Sequence, residues 1–411
     1  MGYQQGLSGL AASSSDLDVI GNNIANANTV GFKQSTAEFA DVYANTIATS
    51  VNNQIGIGTQ LANVQQDFAQ GTINTTGTAL NVAINGQGFF QMSNNGALEY
   101  SRNGVFQLDK NGFITNAQGL KLMGYAASAG GVVNTAQTVP IQIQTANIAP
   151  VATQNITAQL NLNSQDTVPT VTPFSATNAQ TYNYSTSIQV YDSLGGSQQV
   201  NMYFAKTGSG TWDVYGGTSG AVTQIGTVGF SSSGALTSTT ATGTASTSGT
   251  GLLTFPITNS DGSTSPQSVT LNLTGTTQYG STDGVNNLAQ DGYASGQLSN
   301  FTIGADGTIT GNYSNGKTQT LGQIVLANFS NPNGLLNLGG NEFQQTSDSG
   351  VAQISAPGST NHGTLTGGAV EQSNVDLTTQ LVDLITAQRN YQANAQTIKT
   401  QQTVDQTLIN L

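Results

Sequence analysis

At both ends of the chain apolar side chains recur at alternating intervals of three and four residues. Near the start the series is Leu7, Leu10, Leu17, Ile20 and Ile24; near the finish it is Leu377, Leu381, Leu384, Tyr391, Ala395, Ile398 and Ile409. That spacing lays a stripe along one side of an α-helix and predicts terminal helices that pack against other helices. Everything between them reads as β-structure rich in Gly, Ser, Thr and Asn. Two helical tails with no partner pattern in a β-rich body are expected to pair with each other and with the tails of other copies.

The first tail is expected to run from Gly6 to about Asn28 and to stop at Thr29-Val30-Gly31. Its polar face carries Asn22, Asn23, Asn26 and Asn28, which compete for the backbone, so the helix needs packing partners and is expected to be unstructured alone. In the second tail Ser373, Asn374, Val375 and Asp376 supply N-cap chemistry before the stripe, with Asp376 placed well for the helix dipole. A helix continuing to Leu411 would be about 55 Å long. Its interior also holds Gln388, Asn390, Asn394, Gln396, Gln401 and Gln402, amides that bond across close helix contacts without charge repulsion.

Inward of the tails, residues 31–72 read as a linker in which Phe39, Val42 and Tyr43 share a helical face. A polar connector, Ser50 to Asn53, and an alternation at Ile55, Ile57 and Leu61 follow. From Leu80 to Tyr125, Asn95-Gly96, Asn103-Gly104, Asn111-Gly112 and Gln118-Gly119 separate short alternating runs, the pattern of an antiparallel meander. Prolines 140, 150, 169 and 173 mark a boundary, after which strands at Ile188 to Tyr191, Val200 to Phe204 and Trp212 to Tyr215 open a second β-region. The Ser, Thr, Gly and Ala tract from Ser231 to Gly251 reads as exposed loop and edge strand. Near Gly296 the earlier style returns, ending in the apolar run Ile324 to Phe329. The expected fold is therefore mainly β with α-helical termini, in nested domains: helical ends over 1–30 and 370–411, a two-piece inner β-domain over 73–150 and 292–369, and an inserted outer β-domain over 151–291.

Composition narrows the function. Among 411 residues the net charge is −12 and only 7% are charged, so phosphate-neutralising clusters are missing and a nucleic-acid partner is not expected. Cys is absent, which removes disulfides, thiol catalysis and zinc-thiolate sites. No apolar run has the length of a membrane span. The segment MGYQQGLSGLAASSS lacks the basic and continuously apolar regions of a secretory signal, so export without cleavage is the expectation. The one histidine, His362, sits in a Gly, Ser and Asn loop that offers a general base no fixed geometry, and no catalytic role is assigned to it. Asn259-Ser-Asp-Gly-Ser and Gly304-Ala-Asp-Gly carry too few carboxylates for calcium loops and read as turns; no metal or cofactor is expected.

The stretches Leu7-Ser-Gly-Leu and Leu17-Asp-Val-Ile-Gly-Asn-Asn-Ile-Ala-Asn-Ala-Asn-Thr-Val-Gly-Phe32-Lys33 closely resemble the N-terminal signature of the bacterial flagellar rod and hook proteins. Ser373-Asn-Val-Asp-Leu and Leu384-Ile-Thr-Ala-Gln-Arg389-Asn-Tyr-Gln-Ala-Asn-Ala395 resemble its C-terminal counterpart. Gly88-Phe-Phe and Tyr100-Ser-Arg-Asn-Gly104 are similar to the β-domain that rod and hook members share, while Leu160-Asn-Leu-Asn-Ser, Val190-Tyr-Asp-Ser-Leu-Gly and Leu321 to Phe329 are similar to the hook branch. The resemblance implies a subunit of a curved tube that transmits torque from rod to filament as a universal joint, with helical tails lining the inside and the inserted domain facing outward. It implies as partners further copies of the chain, rod and hook-filament junction proteins, a hook cap, a hook-length ruler and the flagellar type III export apparatus, with Phe39 and Tyr43 in a short export-gate motif. Distal rod and junction members are the nearest alternatives; a rod member would be much shorter. A secreted adhesin-like β-protein would share the Thr, Ser and Asn richness but leaves the paired terminal stripes unexplained.

Overall fold

In the computed structural model residues 2–43, 56–144, 146–359 and 361–409 are described. The connector Ser50 to Asn53 and Ile55 lie outside the described residues, as do the side chains of Tyr43 and Ile409. The chain divides into two units: Met1–Thr145 with Asn300–Asn312 and Thr318–Leu411, and Ala146–Ser299 with Tyr313–Lys317.

In the first unit the ends are helical, α1 over Gly2–Ala25 and α2 over Leu377–Ile409. At about 1.5 Å per residue α2 is roughly 50 Å long. Asp376 caps it as expected, its Oδ1 accepting from the Thr379 N–H at 3.0 Å. After α1 the chain reverses through Gly31, whose φ of 73° places it in the left-handed region. A Cβ there would lie 2.8 Å from the Asn103 backbone, so both the conformation and the close approach require glycine.

The segment expected to be helical around Phe39 is instead a strand. β1 (Ser35–Tyr43) pairs antiparallel with β2 (Gly56–Gln66), with Phe39 opposite Leu61 and Val42 opposite Gly58. Phe39, Val42 and Tyr43 fit a helical face over a window too short to separate that period from strand alternation. What decides is tertiary: a two-stranded ribbon is marginal alone, and this one lies against α1.

The β-body of the first unit interleaves early and late strands. Lys121–Ala126 pairs with Thr318–Ile324, Phe89–Asn94 with Leu326–Asn328, and Ala97–Ser101 with Glu342–Gln344. Hairpin chemistry acts locally: Asn95 and Gly96 both have positive φ, 49° and 103°, which lets Asn94 face Ala97 across a tight turn. Asn103-Gly104 is the exception among the Asn-Gly pairs, since Gly104 marks a crossing: a Cβ there would lie 1.7 Å from the Val82 carbonyl. The apolar run Ile324 to Phe329 is buried apart from Asn328. It splits between two strands rather than forming one.

The second unit is a sandwich of two five-stranded sheets. One is the meander from Tyr184–Tyr191 to Leu236–Ala241; the other orders Ser246–Gly249, Leu252–Ile257, Gln267–Asn272, Asn155–Asn161 and Gly284–Gln290. Trp212, Val214 and Phe204 from the first meet Ile156, Leu160, Leu253 and Leu271 from the second in one core. Both strands of the Ser and Thr tract, Leu236–Ala241 and Ser246–Gly249, occupy sheet edges. The ingoing strand Asn155–Asn161 pairs antiparallel with the outgoing Gly284–Gln290, and the Asp291 carboxylate accepts from the Gln154 and Asn155 N–H groups at 2.8 and 3.0 Å. The chain thus leaves this unit beside the point where it came in.

Candidate self-assembly surface

The helices run antiparallel against one another. Gly6 of α1 lies beside Ile398, Asn394 Nδ2 reaches Ser13 Oγ at 3.4 Å, and Asn23 Nδ2 donates to Gln380 Oε1 at 3.0 Å. Gly9 permits the approach: a Cβ there would stand 2.7 Å from the Asn394 side chain. The α2 seam therefore runs through Gln380, Ala387, Asn394 and Ile398, with Leu384 on the same face by spacing. Ala387 is buried, Leu384, Ala395 and Ile398 are half-buried, and on α1 Ile20 is buried with Leu10, Leu17 and Ile24 half-buried.

Much of the sequence stripe stays exposed beside this seam. Leu7, Leu377, Leu381 and Tyr391 are 56%, 47%, 45% and 40% exposed, and they are joined by Val382 and Ile385 at 59% and 50%. Gln388, Arg389 and Asn22 are exposed and Asn26 is half-buried. The pair thus covers one side of itself and leaves an apolar face open.

Three polar connections fix the helices to the chain that follows and precedes them. Asn23, 2% exposed, donates to the Ser35 carbonyl at 2.8 Å and accepts from the Ser35 N–H at 2.9 Å, so one side chain joins α1, β1 and, through Gln380, α2. Asn374 accepts from the Gln34 N–H at 2.8 Å and donates to the Asp67 and Ala69 carbonyls at 2.8 and 3.2 Å. The third is ionic. Glu371 Oε1 meets Lys33 Nζ at 2.7 Å, and Glu371 Oε2 meets Arg102 Nη2 at 3.1 Å, all three side chains being buried. Arg102 Nη1 also donates to the Gly86 and Gly88 carbonyls, Lys33 Nζ to the Ala69 carbonyl, and the Gly71 N–H to Glu371. Burial, then the neighbouring guanidinium of Arg102, push the Lys33 ammonium below its ordinary value, with Glu371 opposing both. Phe32, buried beside this node, anchors the turn after α1.

Sequence reasoning placed Asn23, Phe32, Asn374 and the helix-contact amide Asn394 in this region but assigned no role here to Lys33, Arg102, Glu371, Gln380 or Ala387. A signal existed for the node: Lys33 and Arg102 are the only two cations before Lys110 in a chain with eight. Phe39 is 39% exposed on the ribbon.

Asp16 on α1 titrates abnormally. Burial, then the facing Asp383 of α2, push its carboxyl above the ordinary 3.8. A carboxyl raised in the folded state binds its proton more readily there than in the unfolded chain, so stability is gained as pH falls through the folded value and is retained below the unfolded one. Lowering pH from about 7 toward about 4 is expected to increase amide-exchange protection in α1. Asp16→Asn should show the higher protection already at neutral pH, without that contribution to the pH dependence.

Four family descriptions match in chain order: "Flagella basal body rod protein" over residues 4–33, "Flagellar hook protein FlgE/F/G D1 domain" over 83–161, "Flagellar basal body protein FlaE D2 domain" over 161–293, and "Flagellar basal body rod FlgEFG protein C-terminal" over 366–411. The flagellar hook protein FlgE of Escherichia coli K12 is 44% identical over 422 residues, covering 100% of both chains. The chain belongs to the flagellar hook protein family. The family's FlgE of Treponema pallidum is 32% identical over 99% of this chain and 98% of its own. The crystal structure of Helicobacter pylori flagellar hook protein FlgE2, at 14% identity, shares the fold with a TM-score of 0.53 over 73% of this chain and all of that one. The family's first and last matched segments are those that build the helix pair and its connections.

Proposed function

We propose that the chain is a structural subunit that polymerises into the flagellar hook, a curved, flexible tube that passes torque from rod to filament. The observation that carries this reading is the open face of a helix pair whose other face is already used: Leu377, Leu381, Val382 and Ile385 on α2 are about half exposed among the described residues. Fully burying a side chain of this kind contributes about 1.5 to 3 kcal/mol, so several together suit repeated association of copies. Asn22, Asn26, Gln388, Arg389 and Tyr391 belong to the same assembly surface, and Asn23, Asn374 and Asp376 set the geometry on which it stands.

Further copies are the main partner, with rod and hook-filament junction proteins at the two ends of the tube. A hook cap, a length ruler and the flagellar type III export apparatus serve its construction, the last taking the chain uncleaved and engaging the Phe39–Tyr43 strand. The subunit acts as a building block and not as an enzyme. His362 supports this: its Nε2 is 2.9 Å from the Gln353 carbonyl, and its other nitrogen is 3.4 Å from Ser359 Oγ within a turn. Electron microscopy of the purified chain under salting-out conditions is expected to show short curved tubes. Monodisperse subunits under all such conditions would refute the reading.

A further inference from the structure

We propose that the cleft where α1, α2 and β1 meet receives Arg389 of a second copy of the chain. This deepens the polymerisation reading and rests on it. The cleft is a cavity of about 260 Å³ lined by Asp16 of α1, Asp383 of α2, Asn23, Gln380 and Asn390, with Ser35 to Ala37 of β1 at its edge. Neither carboxylate has a cation: among the described residues both ion pairs involve Glu371. The raised affinity of Asp16 for its proton, caused by burial and Asp383, is the mark of that uncompensated charge. Gln380 is 9% exposed and gives its carbonyl oxygen to Asn23, while its amide N–H groups have no partner among the described residues. Two unneutralised carboxylates and a free donor line one opening.

The chain's own cations identify the occupant. Of eight, Lys33 and Arg102 are consumed by Glu371, and Lys206 holds the Ser164 and Asp166 carbonyls. Lys121 and Lys317 lie over the rings of Phe113 and Tyr293. Lys110 is on a β-turn, which leaves Arg389 and Lys399 on the terminal helices. Arg389 is exposed. It lies six residues after Asp383 on the same helix, a rotation that points it about 120° away from that carboxylate, so only another copy can bring it into the cleft. A guanidinium presents a planar fork that can meet two carboxylates at once, whereas the Lys399 ammonium is a point charge. Beside Arg389 the exposed Gln388 carbonyl can accept from the free amide of Gln380. In a close-packed layer of helices the local dielectric is low, so leaving the two carboxylates unpaired would be costly and pairing them selects one register of neighbouring subunits.

The test is the critical concentration of the full chain for tube formation, read by sedimentation and micrographs at several salt concentrations. Arg389→Gln and Asp16→Asn are each expected to raise it about tenfold at low salt, with the difference shrinking as salt is added. Exchanging the charges, Asp383→Arg together with Arg389→Asp, should return it to within about threefold of the unsubstituted chain, although each change alone impairs assembly. Asp16→Asn should also raise the melting temperature of the free subunit, because it removes a repulsion there; a purely structural role would raise the critical concentration while lowering the melting temperature. The assignment is overturned if Arg389→Gln tubes form at the unsubstituted concentration, if Lys399→Gln causes the loss instead, or if the exchanged pair is no better than its single members. Failure of the unsubstituted chain to form tubes at all would remove the polymerisation reading and this contact with it, whereas normal tubes from Arg389→Gln would remove only the contact.

Discussion

Glu371→Ala is expected to cost the first unit about 3 to 5 kcal/mol, enough to unfold it near physiological temperature. Among the described residues Glu371 is the one carboxylate ion-paired with two buried cations, Lys33 and Arg102, held at 2.7 and 3.1 Å. Truncation leaves both without it in a site closed to water, and breaking a buried pair by removing one partner is far more destructive than replacing the whole pair. It also removes the acceptor for the Gly71 N–H, so the chain between the ribbon and the β-body loses an anchor. Calorimetry should show the transition of the first unit displaced downward, while the sandwich, whose core is its own, melts as before. Lys33→Met combined with Glu371→Gln should recover much of the loss, because one buried charge leaves with its partner and Gln keeps an acceptor for Arg102. Loss of less than about 1 kcal/mol on Glu371→Ala would show that water reaches the node and screens it.

The contrast between helix and node explains what could be read from the sequence. The terminal helices were legible because a period near 3.6 is a local property, visible within one segment whatever it packs against. The β-turns at Asn95-Gly96 and Asn111-Gly112 were legible for the same reason. Strand β1 was not, since its partner begins at Gly56 and the ribbon lies against α1. The ionic node was invisible because it is assembled from positions 33, 102 and 371, which no periodicity connects. On α2 the stripe was found but its two sides were not separated. The seam with α1 takes Gln380, Ala387 and Asn394 beside the half-buried Leu384 and Ile398, while Leu377, Leu381 and Tyr391 stay largely exposed. Hydrophobicity alone marks what is available for burial; the glycines and the amides of the partner decide what is buried within one chain.

That separation yields a pair of substitutions, adjacent in sequence, with opposite consequences for the free subunit. Ile385 is 50% exposed on the open side of α2, whereas Leu384 is half-buried on the seam side. Ile385→Asp should therefore leave the subunit folded, with helix content and melting unchanged to within about 0.5 kcal/mol. In a polymer it would replace about 1.5 to 3 kcal/mol of apolar burial with the penalty for an unpaired charge. At 1.4 kcal/mol per tenfold, a loss of about 3 kcal/mol raises the critical concentration on the order of a hundredfold, and tubes should be lost under ordinary conditions. Leu384→Asp places the same charge in the seam, so it should loosen α1 from α2 in the free subunit and expose both to amide exchange before assembly is reached. Circular dichroism and exchange on the free chain separate the two cases, and sedimentation then measures assembly. If Ile385→Asp assembles normally while Leu384→Asp alone fails, copies meet through a face other than the Leu377, Leu381 and Ile385 row, and the apolar side of α2 is left exposed in the tube as well.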